Sequence, residues 1–150
     1  MNQETILDIK DLRTSFLVDG FEVKAVDGVS FKLPKGKTIG IVGESGSGKS
    51  ITAMSILQLL DKPGKIMGGE INFKGRDITK LSEKEIRDIR GNEISMIFQE
   101  PMTSLNPVYT IGQQIRETLK VHQGLDKQRG TKKAIELLTL VGIPSPEQRV

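Results

Sequence analysis

One segment in the first third of this chain combines three glycines with a lysine and a serine at a fixed spacing. Its residues are Gly43, Glu44, Ser45, Gly46, Ser47, Gly48, Lys49 and Ser50, which fit the pattern G-x-x-x-x-G-K-[ST]. The glycines lack a Cβ, so the backbone can adopt positive φ and turn its N–H groups toward a phosphate oxygen. Lys49 can place its ammonium on the β- and γ-phosphates, and the Ser50 hydroxyl is a ligand for Mg²⁺. The pattern predicts a nucleoside triphosphate site.

The segments on either side predict the context that such a loop needs. Residues 38–42 are apolar and largely β-branched, which indicates a buried strand. Residues 51–60 lack Gly and Pro, which predicts a mostly buried helix. Its first turn, with Ile51 among the nucleotide-binding residues, would add free N–H groups and a favourable dipole. The alternative is an ordinary glycine-rich turn, and the order of strand, loop and helix argues against it.

The composition narrows the class of protein. The 150 residues are 36% hydrophobic and 27% charged, which suits one folded domain with a core. A net charge of +3 and six Phe and Tyr residues give no reason to expect nucleic acid as a partner. The absence of cysteine excludes disulfides and thiolate metal sites. No apolar run approaches the roughly 20 residues of a spanning helix, so membrane association would come through a partner.

Alternation of apolar and polar residues predicts an antiparallel β subdomain with one wet face. The predicted strands cover residues 6–12, 21–26, 29–33 and 70–75, with turns or breaks at 19–20, 35–36, 63–64 and 68–69. A capping box from Ser82 to Glu85 then predicts a helix to about Arg90. Residues 94–98 return to a buried strand that ends at Gln99, and ligands bind at that end of an open α/β sheet.

The final third predicts a small helical subdomain. Pro101, Asn106 and Pro107 mark an irregular loop. Helical spacing then predicts helices over residues 111–122 and 132–141, the second ending near Gly142. His122, the only histidine, would end the first of these helices as a surface residue.

The phosphate-loop motif and a second segment together carry a family resemblance. Residues 98–107 read FQEPMTSLNP, about fifty residues after the loop. The pair strongly resembles the ATP-binding subunits of ABC transporters, in particular the oligopeptide, dipeptide and nickel importer branch. The resemblance implies an α/β P-loop NTPase fold, with residues 1–100 as catalytic core and antiparallel β subdomain. Residues 101–150 would then hold the Q-loop and the start of the helical subdomain.

The resemblance also implies roles for individual residues. Gln99 looks like the Q-loop glutamine, which approaches Mg²⁺ and the attacking water. The predicted catalytic residues are therefore Gln99 and Lys49. The predicted metal ligands are Ser50 and Gln99. The adenine ring needs an aromatic or apolar platform, and Phe21 is nearest the family's spacing. Phe16, or a plain apolar strand residue, is the alternative.

The partners implied by the family are a second ATP-binding subunit, transmembrane permease subunits and, indirectly, a substrate-binding protein. The loop of residues 100–107, from Glu100 to Pro107, and the helical subdomain would face the permease. The subunit would lie on the cytoplasmic inner face of the cell membrane and couple ATP hydrolysis to uptake of peptides or nickel.

Several motifs of a complete ABC ATPase do not occur in these residues: the signature loop, a Walker B strand ending in Asp-Glu, and the switch histidine. The sequence therefore looks truncated, and we expect exposed apolar surface together with ATP binding and poor hydrolysis. Two alternatives remain. One is a natively short nucleotide-binding module, and the other is a different P-loop NTPase, although the guanine-reading N-K-x-D is absent.

Overall fold

The computed structural model describes residues 4–99 and 104–150, and the chain divides into the units Met1–Arg87 and Asp88–Val150. The first unit holds strands β1 (Thr5–Val18), β2 (Phe21–Pro34), β3 (Gly64–Phe73) and β4 (Arg76–Asp77), helix α1 (Lys49–Ile56) and a 3₁₀ turn at Ile78–Lys80. Helix α2 (Glu83–Ile89) crosses the boundary. The second unit holds α3 (Ile111–Gln123), α4 (Lys127–Leu140) and a 3₁₀ turn at Pro146–Gln148.

The four strands of the first unit form one antiparallel sheet in the order β2-β1-β3-β4. Its first hairpin turns at Asp19 and Gly20, whose φ values of 50° and 82° are the two positive angles that a type I′ turn requires. Side chains on the inner face build the core, and Ile9, Leu12, Ile71, Ile78 and Ile86 are fully buried. The predicted antiparallel β subdomain is confirmed.

Three strands are longer than the sequence pattern predicts. The strand predicted at 6–12 is β1, which continues to Val18, and in β2 and β3 bulges absorb glycines that we expected to end the strands. The strands predicted at 21–26 and 29–33 are one strand, β2, which continues through Gly28 at φ 81°. Strand β3 begins at Gly64 and continues through Gly69 at φ 90°, where its register against β1 shifts. A bulge leaves the ladder intact on both sides, so a glycine there does not end the strand.

Two predicted buried strands are not strands in the structure. Residues 38–42 and 94–98 pair with no strand among residues 4–99 and 104–150, apart from an isolated bridge at Ile94. Val42 is 92% exposed and Ile97 is 94% exposed. A buried parallel strand needs hydrogen-bonded neighbours, and the described residues supply none. The exposed apolar side chains here agree with the expectation of uncovered apolar surface.

Helix α1 is shorter and less buried than predicted for residues 51–60. It ends at Ile56, and only Thr52 and Ser55 are buried within it. Gln58 stops the helix because its backbone adopts φ 51°, while its side-chain amide donates to the Ile78 carbonyl at 2.6 Å. A tertiary hydrogen bond therefore fixes this helix end, although residues 57–60 lack Gly and Pro.

The predicted capping box begins α2. Glu85 accepts from both the backbone N–H and the hydroxyl of Ser82, at 2.9 and 2.7 Å. The hydrogen bond from the Ser82 hydroxyl and then that from its backbone N–H hold the pKa of the Glu85 carboxyl below its usual range.

The second unit contains a helical hairpin of α3 and α4. Thr110 and Gln113 form a capping box at the start of α3, and Gly124 ends the helix at φ 64°. Helix α4 begins at Lys127, five residues before the predicted 132, because Asp126 accepts from the Arg129 N–H as its N-cap. Gly142 follows α4 at φ 78°, as predicted. Across the described ranges, no helix is long and apolar enough to span a membrane.

Replacement of Gly69 by alanine tests the bulge in β3. A Cβ there would overlap the backbone of Asp11, and the positive φ adds strain, so we expect Gly69→Ala to lower the free energy of unfolding by about 3 kcal/mol or more. Gly75→Ala is the matched control, because Gly75 has φ 80° but open space around it, and should cost about 1 kcal/mol. Urea titration followed by circular dichroism measures both, and equal losses would contradict this account.

Candidate phosphate-binding loop

Residues 43–50 form a curled loop that leads directly into α1. Gly46 and Gly48 have φ values of 80° and 86°, which side-chain-bearing residues rarely adopt. A Cβ on Gly43 would lie 2.6 Å from the Ser47 hydroxyl, so the Ser47 side chain would have to move to admit one. Space around Gly46 is open. The Ser47 N–H donates to the Glu44 carbonyl at 3.2 Å, and the loop leads into the first N–H groups of α1, which have no partner within the helix, as an anion site requires.

The Lys49 ammonium lies against the carbonyls of its own loop. Nζ donates to the Gly43 carbonyl at 2.8 Å and to the Glu44 carbonyl at 2.7 Å, and the Ser47 hydroxyl lies at 3.3 Å. No carboxylate in the described part of the chain forms an ion pair with it. The charge is therefore held in the loop by neutral partners, which an anionic oxygen can replace.

Strand β2 supports the junction between the loop and α1. A Cβ on Gly48, the N-cap of α1, would overlap the carbonyl oxygen of Ala25 in β2. The Gly48 carbonyl in turn accepts from Thr52, from its N–H at 2.8 Å and its hydroxyl at 2.9 Å. The start of α1 is thus fixed against the sheet by close packing that only glycine permits.

A buried pair of hydroxyls joins α1 to the centre of the sheet. Thr14 Oγ1 of β1 and Ser55 Oγ of α1 are 2.9 Å apart, and both residues are fully buried. Ser55 also donates to the Ile51 carbonyl at 2.7 Å. These two buried hydroxyls can form their hydrogen bond only when α1 lies at the correct position along β1. The sequence pattern did not indicate Thr14 or Ser55, because their function depends on a contact distant in sequence.

The electrostatics at the start of α1 favour an anion. Its first turn contains no acidic residue, so no side chain neutralises the positive end of the helix dipole. Ser50 is exposed at this end, and Ile51 is half-buried behind it. The predicted residues 43–51 thus form one continuous loop and helix start.

The other two predicted site residues, Phe21 and Gln99, lie outside residues 43–51 in the sequence. Phe21 is the first residue of β2, opposite Val18 beside the hairpin turn, and is 77% exposed. Phe16 is half-buried, and a Cβ on Gly64 would lie 2.6 Å from its ring, so Phe16 is already packed on the sheet. Gln99 is exposed and belongs to the second unit. Residues 100–103, including Pro101, lie outside the described residues.

A glutamine that sequence reasoning missed holds the loop before α3. The Gln114 side chain accepts from the Asn106 N–H at 2.9 Å and donates to the carbonyls of Asn106 and Tyr109 at 3.0 and 3.1 Å. Asn106 also accepts from the Val108 N–H at 3.0 Å. These bonds fix the loop while Leu105, Val108 and Tyr109 stay exposed.

With this geometry in place, comparison with known proteins decides the family. Residues 26–150 match the family model described as "ABC transporter". The chain belongs to the ABC transporter family. Solved structures of the family support the fold: the dimeric structure of MJ0796, a bacterial ABC transporter cassette, has a TM-score of 0.76 at 24% identity and covers 89% of this chain and 56% of that one. The predicted α/β ABC-type fold is confirmed.

Relatives within the ABC transporter family carry peptide-transport names. The oligopeptide transport ATP-binding protein OppD of Bacillus subtilis (strain 168) is 54% identical over 146 residues, which are 97% of this chain and 41% of OppD. The dipeptide transport ATP-binding protein DppD of Escherichia coli (strain K12) is 47% identical, with 97% and 44% covered. The chain thus spans less than half the length of these curated relatives.

The Thr14–Ser55 pair can be tested by a double-mutant cycle. We expect Ser55→Ala to lower the free energy of unfolding by about 1–3 kcal/mol, because it leaves a buried hydroxyl on Thr14 without that partner. Adding Thr14→Val should recover part of this loss, since both polar groups are then gone. Urea unfolding of the two single variants and the double variant gives the coupling energy, and strictly additive losses would argue against the pair.

Proposed function

We propose that this chain is the ATP-binding part of a peptide importer and that the loop of residues 43–51 holds the triphosphate. The position of Lys49 carries the proposal. Its ammonium contacts two loop carbonyls at 2.7 and 2.8 Å, beside the free N–H groups that begin α1. Phosphate oxygens in place of these carbonyls would form charge-assisted hydrogen bonds with Lys49, stronger than the neutral contacts they replace.

Magnesium would bind together with the phosphates rather than to the protein alone. Within the described ranges, no group of three or more His, Cys, Asp or Glu side chains could hold a metal ion. Mg²⁺ commonly takes one or two protein ligands plus phosphate oxygens and water, which fits the exposed Ser50 hydroxyl at the start of α1. Bound there, the ion neutralises phosphate charge. Gln99 is proposed as the second protein group near the ion, and as the residue that orients the attacking water.

Phe21 is proposed as the platform for the adenine ring. Its ring is largely exposed, whereas Phe16 already packs beside Gly64, so Phe21 has the free face that stacking needs. It also lies on β2, the strand whose Ala25 contacts the N-cap of α1. The alternative is that Phe21 is only an apolar residue at a hairpin end. In that case Phe21→Ala should bind ATP with unchanged affinity.

The permease contact is proposed for residues 100–107 and the helical subdomain that follows. In the described part, Leu105 is 51%, Val108 is 82% and Tyr109 is 56% exposed, while Gln114 holds their backbone in place. An apolar surface on a fixed backbone binds at low entropic cost. We propose residues 1–100 as catalytic core and 101–150 as Q-loop and helical subdomain, whereas compact packing divides the chain after Arg87.

Names of related proteins support the remaining assignments. OppD and DppD are named for oligopeptide and dipeptide transport, which favours peptides over nickel as cargo. MJ0796 is described as dimeric. CbiO1 of Clostridium perfringens is described as part of the ABC transporter complex cbiONQ, and its structure has a TM-score of 0.65 at 23% identity over 95% of this chain and 52% of that one. We propose a second ATP-binding subunit, permease subunits and, through them, a substrate-binding protein as partners on the cytoplasmic face of the membrane.

Replacement of Lys49 tests the site itself. We expect Lys49→Ala to weaken ATP binding about 10- to 100-fold, because it removes a cation that would contact two phosphates. Lys37→Ala is the control, since it removes one positive charge from an exposed lysine outside the loop. Isothermal titration with ATP and Mg²⁺ measures both affinities. Equal affinity of Lys49→Ala and the unchanged chain would refute the site.

Hydrolysis by the 150-residue chain should be very slow. The sequence offers no Walker B Asp-Glu pair, and loss of the group that activates water typically costs 10² to 10⁴ in rate. We therefore expect steady-state phosphate release to match that of Lys49→Ala. Phosphate release by the unchanged chain that clearly exceeds the release by Lys49→Ala would show that these residues suffice for turnover.

A further inference from the structure

The positive charge of this chain is concentrated at one end of the α3–α4 hairpin. Residues 116–133 contain six basic residues, Arg116, Lys120, Lys127, Arg129, Lys132 and Lys133, and two acidic ones, Glu117 and Asp126. Six minus two leaves +4 in this segment, whereas the whole chain carries +3, so all other residues together carry −1. We call the exposed surface of residues 116–133 the basic patch.

The patch is continuous across both helices. Arg116 of α3 donates to the Thr131 hydroxyl of α4 at 3.4 Å and packs on Gly130, so the two helices are in contact here. Lys120 and Lys127 line one cleft of about 480 Å³. Lys127 and Lys132 line a second of about 530 Å³. Lys127 therefore borders both clefts.

Ion pairs within the hairpin do not explain why most of these cations are present. Lys120, Lys127 and Lys132 are exposed and form no ion pair with any residue in the ranges 4–99 and 104–150, while Arg129 and Lys133 pair only with neighbours on the hairpin. Lys127 and Arg129 also lie in the first turn of α4, which has no acidic residue. The Asp126 carboxylate at the N-cap and its ion pair with Arg129 complement this helix end. The charges that suit an anionic partner outside the hairpin are therefore the exposed lysines without an ion pair, Lys120, Lys127 and Lys132.

We propose that the basic patch docks on the anionic headgroups of a phospholipid bilayer. Four of its six cations are lysines, which act as mobile point charges and suit a fluid layer of headgroups. The Arg116 fork, suited to bidentate phosphate recognition, is half-buried against α4. Residues 116–133 contain no Phe, Tyr or Trp on which a base could stack, and the one histidine among them, His122, is half-buried, which disfavours nucleic acid. Choosing a membrane as occupant rests on the proposed importer function.

The patch is suited to orienting the chain rather than anchoring it. Each lysine near an anionic surface strengthens binding on the order of fivefold, so three unpaired lysines contribute roughly a hundredfold. Stable anchoring needs a second signal of comparable size. The permease contact proposed for residues 100–107 would supply it, and the basic patch would then set which side of the helical hairpin faces the bilayer.

Vesicle binding of the whole 150-residue chain tests this inference. In co-sedimentation at ~0.1 M salt, we expect binding to phosphatidylcholine vesicles with about one-third phosphatidylglycerol, loss of that binding at ~1 M salt, and little binding to pure phosphatidylcholine. The triple variant Lys120→Gln, Lys127→Gln, Lys132→Gln should bind at least about tenfold more weakly. The control Lys62→Gln, Lys65→Gln, Lys84→Gln removes the same charge from exposed lysines elsewhere and should stay within about twofold.

A second variant shows whether a loss of vesicle binding comes from lost charge or from misfolding. Lysine to arginine at positions 120, 127 and 132 keeps the charge and should keep vesicle binding, with a melting temperature like that of the glutamine variant. Equal losses in the glutamine variant and the control would overturn the proposal. So would binding to a DNA duplex or to polyglutamate without binding to anionic vesicles.

Nucleotide binding separates this inference from the proposed function. Lys49→Ala should bind vesicles as the unchanged chain does, because Lys49 lies outside the basic patch. Normal ATP binding without vesicle binding would refute only the basic patch. Vesicle binding without any ATP binding would refute the loop assignment and leave the patch standing.

Discussion

The contact between Gly48 and the Ala25 carbonyl is the constraint on which the candidate site depends. Gly48 has φ 86° and no space for a Cβ, so the loop can enter α1 only with glycine at this position. Thr52 then bonds the Gly48 carbonyl, and Ser55 bonds Thr14 one turn further along. The loop, the helix start and Lys49 are thus positioned by an antiparallel strand, β2, and by its neighbour β1.

Two apolar segments of the chain have no such contacts to hold them as strands. Residues 38–42, just before the loop, and residues 94–98, just before Gln99, have the apolar composition of buried strands and yet form no ladder among the described residues. Backbone N–H and C=O groups of a strand need a partner chain segment, and apolar side chains alone do not supply one. Strands β1 to β4 each have a hydrogen-bonded neighbour, β2 through a hairpin turn and β3 from a distant part of the chain, whereas these two segments have no strand neighbour among the described residues.

Two groups of cations in this chain lie in different surroundings, and each suits a different anionic partner. Lys49 is surrounded by fixed carbonyl oxygens at short distance, an arrangement that suits a small anion of defined geometry. Three lysines of the basic patch, Lys120, Lys127 and Lys132, are exposed and form no ion pair within the described residues, which suits a broad anionic surface. The first depends on hydrogen-bond geometry and the second on summed charge, so salt should affect the second far more.

The sequence by itself determined the phosphate-loop motif, the antiparallel alternation, the Asp19–Gly20 turn and the family, because these depend on residue types at short spacing. The Ser82 and Gly142 helix signals are equally local. Tertiary structure decided the rest. Bulges carried strands through Gly28 and Gly69, and the Gln58 side chain ended α1 early. Residues 38–42 and 94–98 joined no ladder, because no strand among the described residues lies beside them. The Thr14–Ser55 pair joins residues 41 positions apart, and no local pattern contains that distance.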